Sequence, residues 1–114
     1  MANSAVIWKN IDDVLDENLS QIEAAKKIAT TTGYKTAYAE AFVMAAKNMV
    51  HGYCITRKVG IEILDEIARN IIKKYGHHIK VNVALALEQY MNYEPSKLKD
   101  SEKLKPLITN ILNL

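Results

Sequence analysis

The chain is predicted to be all-α: a compact helical bundle of four to six helices in one domain over residues 1–114. Three observations predict it. Apolar residues recur every three or four positions through most of the sequence. Glycine (4) and proline (2) are scarce among the 114 residues, which disfavours a turn-rich β fold. No two segments read as strands that could pair, and a lone strand cannot satisfy its backbone groups.

Residues 10–30 read as the first helix. Asn10 is its cap, and Asp12, Asp13, Asp16 and Glu17 would complement the positive end of the helix. Ile11, Val14, Leu15, Leu19, Ile22, Ala25 and Ile28 form one apolar stripe. Ser20 and Glu23 have the spacing of a capping box, which would divide the stretch in two. The stripe runs on through Ser20, so one continuous helix is preferred. Val6, Ile7 and Trp8 form an apolar segment ahead of the cap. It is expected to fold back on the bundle; the alternative is that Trp8 anchors a protein partner.

Thr30, Thr31, Thr32 and Gly33 mark a break: β-branched residues, then a glycine free to turn left-handed. Residues 34–53 are alanine-rich and apolar nearly all round, which predicts the most buried helix. The next helix should begin at residue 57 or 58 and end at Tyr75, with Ile63, Leu64, Ile67, Ala68, Ile71 and Ile72 inward. Lys73 and Lys74 suit its negative end, and Gly76 stops it. His77 and His78 lie in the connection. Residues 79–87 alternate apolar and polar like a strand, but with no partner strand a helix over 81–93 is the better reading. Residues 94–105, punctuated by Pro95, Lys97, Lys99, Lys103 and Lys105, connect to a C-terminal helix. Along that helix Leu104, Leu107, Ile108, Ile111 and Leu112 line one side.

Composition bounds the function. A formal net charge of +2 is only mildly basic, and of the 15 cationic side chains only Arg57 and Arg69 are arginines. Arg is the preferred fork for phosphates and carboxylates, so anion recognition is disfavoured. Cys54 is the sole cysteine, which excludes an intrachain disulfide. The amino-terminal MANSAVIWKN lacks the basic and apolar regions of a leader, and no apolar run reaches the length of a membrane span. A cytoplasmic protein without membrane association is expected.

"KKIATTTGYKTAYAEAFVMAAKN", residues 26–48, has the outline of a helix-turn-helix. On that reading Lys35, Thr36 and Tyr38 would face bases and phosphates. Against it, a recognition helix must show the groove a donor-rich face. Here Ala37, Ala39, Ala41, Phe42, Val43, Met44, Ala45, Ala46, Met49 and Val50 make the second helix apolar, and Glu40 would repel phosphates. A core hairpin is preferred, with nucleic-acid binding as the alternative.

Arg69 and Asn70 followed by His77 and His78 resemble the Arg-Asn…His motif of the HEPN helical ribonucleases, at a longer spacing than the family's. The resemblance covers residues 69–78. It implies an Arg and a His at a helix end that serve 2′-hydroxyl attack and phosphate stabilisation, a second alternative function. His51 and Cys54 share a helical face but lack the further ligands that zinc needs. No metal or other cofactor is expected, and no catalytic residue is assigned. Met44, Met49 and Met91 read as core filler.

What remains is a non-enzymatic binding or regulatory protein that acts by protein–protein contact, such as an inhibitor, an immunity or antitoxin-like protein, or a subunit of an assembly. Its partner-facing residues are read as Trp8, Leu107, Ile108, Ile111 and Leu112. A homodimer using the segment after Pro106 is the simplest oligomer.

Overall fold

The computed structural model describes residues 2–93 and 101–114. These form six helices: α1 (Ala2–Leu15), α2 (Gln21–Thr32), α3 (Thr36–His51), α4 (Ile61–Tyr75), α5 (Lys80–Asn92) and α6 (Ser101–Leu112). A short 3-10 turn, His77–Ile79, leads into α5, and the described residues contain no strand. The predicted all-α bundle is the observed fold. Of the connection at residues 94–105, residues 94–100, with Pro95, Lys97 and Lys99, lie outside the described residues.

α3 is the central helix. It packs against α1, α2, α4 and α5, and Ala39, Ala41, Phe42, Val43, Ala45, Ala46 and Met49 are buried. Alanines dominate because a helix touched on several sides needs small residues for close approach, leaving Phe42 and Met49 to fill the gaps. The rings of Tyr38 and Phe42 meet edge to face, 4.6 Å between centroids, and Tyr34 lies 5.5 Å from Phe42. These residues form the hub of the core.

The first helix differs from the expectation in two ways. It begins at Ala2 rather than Asn10, so Trp8 lies within it and packs, half-buried, against the core. It also stops at Leu15, and residues 10–30 are two helices rather than one. Glu17 adopts a left-handed conformation, φ 64°. Its N–H donates to the Val14 carbonyl, and the N–H of Asn18 donates to that of Asp13 at 2.8 Å. This pair of bonds is a Schellman closure, here built without glycine. Ser20 then opens α2 with the capping box: its Oγ accepts from the Glu23 N–H, and the Glu23 carboxylate accepts from the Ser20 N–H. A cap of this kind contributes about 1 kcal/mol.

The acidic residues of α1 also sit elsewhere than expected. With the helix starting at Ala2, Asp12, Asp13 and Asp16 fall at or just past its carboxyl end, the wrong pole for an anion. Lys74 of α4 compensates: its ammonium pairs with both Asp12 and Asp16, the latter at 2.8 Å. These hydrogen bonds hold the lysine above its ordinary pKa range. While the two carboxylates are charged, the stabilisation it lends is fully present below that range and is lost as strongly alkaline pH deprotonates the ammonium.

Between α3 and α4 the chain is irregular but anchored. Gly52, φ 71°, closes α3. Asn48 donates to the Cys54 carbonyl, Arg57 donates to the Ala37 carbonyl at 2.7 Å and pairs with Glu40, and Ile55 and Val59 are buried. The hydroxyls of Tyr90 and Tyr38 accept from the N–H groups of Val59 and Gly60, at 3.1 and 3.2 Å. Helix α4 therefore starts at Ile61, later than residue 57 or 58, because this stretch is held by side chains instead of by helical bonds.

α6 begins at Ser101 and runs through Pro106. Proline removes one helical donor. It does so here on the exposed face and near the first turn, where solvent can serve the freed carbonyl. Leu104, Leu107 and Ile111 on the opposite face are buried against the bundle, mainly on α5. Burial of three such side chains, about 1.5–3 kcal/mol each, outweighs one lost hydrogen bond.

Candidate protein-binding surface

The alternation over residues 79–87 takes on a new meaning once the segment is a helix. At 100° per residue, apolar residues spaced by two fall alternately on opposite faces. Ile79, Val83 and Leu87 are buried. Val81 and Leu85 therefore point outward, and they are 67% and 46% exposed.

Neighbouring elements enlarge this outer face of α5. Leu85 lies against Gly52 at the end of α3, and the next residue, Tyr53, is 63% exposed with its ring stacked on His51. On the other flank, the Lys80 ammonium donates to the carbonyls of Leu112 and Leu114, which ties the end of α6 to the start of α5. Leu112 and Leu114 are themselves exposed. Asn82 and Gln89 fix the orientation of α5 by donating to the Val50 and Gly52 carbonyls, both at 2.9 Å. The result is an apolar surface on a rigid support.

The residues nominated from sequence are distributed as follows. Leu107 and Ile111 are buried in the protein's own core, and Ile108 is half-buried at its edge. Only Leu112 of that stripe is left for a partner. Trp8 packs beside Ile63 and Ile67 of α4.

The α2–α3 pair does have helix, turn and helix, with Gly33 in the left-handed conformation at φ 83°. Lys35 and Thr36 are exposed at the amino end of α3, but Tyr38 is half-buried with its hydroxyl engaged by Gly60. Farther along α3, Lys47 and His51 are exposed, and the buried residues from Ala39 to Met49 are apolar. An open groove of about 530 Å³ between α1 and α2 gathers Lys9, Lys26 and Lys27 with Asp13, a lining of mixed sign.

Arg69 pairs with Asp65 one turn back toward the amino end of α4, at 2.8 Å. His77 and His78 are exposed beyond the other end of that helix, and among the described residues no hydrogen bond or ion pair joins them to Arg69. Asn70 is held by the Glu66 carbonyl. His51 stacks on Tyr53, and Cys54 is half-buried with its thiol directed at the Ile55 carbonyl. Among the described residues no three His, Cys, Asp or Glu side chains gather as a metal site requires. Lys103 and Lys105 lie on the exposed face of α6. No helix among the described residues is long and apolar enough to cross a membrane.

Val81 and Leu85 are the surface residues that the sequence argument passed over. Their signal was present: a period-two apolar pattern inside a helix must leave half of its apolar residues outside. Comparison with protein-family models, with curated proteins and with solved structures finds no match to this chain.

Proposed function

We propose that this is a non-enzymatic binding protein that acts through protein–protein contact, with the outer face of α5 as its contact surface. The observation that carries the reading is the exposed pair Val81 and Leu85, bordered by Tyr53, Leu112 and Leu114. Val81 and Leu85 stand exposed one turn apart on one helix, whereas α2 exposes a single large aliphatic side chain, Ile22. An exposed apolar patch with aromatic content on a rigid helix is the usual form of a protein contact site.

Site-specific photo-crosslinking in cells tests it. A photoreactive side chain in place of Leu85 is expected to give discrete protein adducts, and one in place of the exposed Glu62 on α4 is expected to give none. Equal labelling from both positions, or ribonuclease activity that is lost on Arg69→Ala and His77→Ala, would overturn the reading.

A further inference from the structure

Beyond the general reading of a contact surface, on which this inference rests, the chemistry of α5 identifies the partner. We propose that the outer face of α5 pairs antiparallel with α5 of a second copy of this chain. Val81 then packs on Leu85 of the partner subunit, and His78 bonds to Glu88 of the partner subunit.

The spacing carries the argument. His78 precedes Val81 by three positions, Leu85 follows Val81 by four, and Glu88 follows Leu85 by three. A two-fold axis through the midpoint between Val81 and Leu85 exchanges Val81 with Leu85 and His78 with Glu88. The 3-10 turn runs directly into α5 and buries Ile79, so His78 lies on the same outward side as Val81. Both His78 and Glu88 are exposed, and among the described residues neither has a hydrogen-bond or ion-pair partner.

The face thus has an apolar middle, a donor at one end and an acceptor at the other. A patch that carries its own complement is what an isologous two-fold interface requires. Parallel pairing would instead set Glu88 against Glu88 of the partner subunit, a like-charge contact that opposes association. The exposed Tyr53 beside Leu85 and the exposed Leu112 beside Lys80 extend the apolar middle on either flank.

A charge exchange on the purified full chain tests both the partner and the register, read by light scattering and sedimentation equilibrium. The unaltered chain is expected to dimerise. His78→Glu sets carboxylate against carboxylate, and Glu88→Lys removes the acceptor; each is expected to weaken self-association at least tenfold. An equimolar mixture of the two variants is expected to recover a dimer, because each then offers what the other lacks. Both positions are exposed and make no internal bond, so matched thermal melts should show both variants folded. Failure of the mixture to recover, or unweakened self-association of the variants, would overturn the register. An unaltered chain that stays monomeric at every concentration would overturn the second-copy partner. It would leave the contact-surface reading standing if position 85 still crosslinks to a protein of another mass.

Discussion

Phe42→Ala is expected to lower the stability of the fold by about 3–5 kcal/mol, the usual cost of emptying a buried aromatic site. The side chain is fully buried on the central helix, and its ring meets those of Tyr34 and Tyr38 edge to face. Of the neighbours of α3, α1 packs on both α2 and α4 and α5 packs on α6, which opposes closure of the space by a local shift. Against a typical total of about 5–15 kcal/mol, the loss is a large share of the whole. A urea or thermal melt measures it. Tyr38→Ala should follow at about 2–3 kcal/mol, because that ring is half-exposed although its hydroxyl receives the Gly60 N–H. A melt unaffected by Phe42→Ala would mean that α3 is not the hub of the bundle.

Ile111→Ala is expected to cost about 2–5 kcal/mol of folding stability while leaving the association of the folded chain unchanged. Ile111 is fully buried with Leu104 and Leu107 against the bundle. A melt and a sedimentation run on the same sample separate the two roles. Reduced association of a fully stable variant would return the C-terminal stripe to the partner-facing side. Removing the whole segment after Pro106 would not distinguish them, since it takes away the buried Leu107 and Ile111 together with the exposed Leu112 and Leu114.

The elements most legible in the sequence are those where several physical signals coincide. α4 has one clean apolar stripe, lysines in its last turn and Gly76 behind it, and its carboxyl end lies where those signals place it. The central helix was legible from its alanines. The division of residues 10–30 was signalled by the capping-box spacing of Ser20 and Glu23, but the close of α1 was hidden because its left-handed residue is Glu17 rather than glycine. A non-glycine residue in that conformation costs about 1–2 kcal/mol and leaves no mark in composition. The amino end of α1 lacked any cap signal. The path of α6 through Pro106 was obscured because burial of its far face, invisible in local propensity, outweighs the missing donor. Of the candidate surface, Leu112 was legible as part of a stripe. Val81 and Leu85 were not, because the alternation containing them was used to choose between helix and strand and not followed around the helix.

The anchored stretch before α4 has a consequence for hydrogen exchange. Amides outside helices usually exchange with solvent deuterium through small local openings. Those of Val59 and Gly60 donate to the hydroxyls of Tyr90 on α5 and Tyr38 on α3, and Tyr90 is itself buried. Neither amide can be freed without disturbing a ring packed in a helix from another part of the chain. Both should exchange as slowly as amides in the middle of α3, so the slowest-exchanging set would include two positions that no helical bond protects.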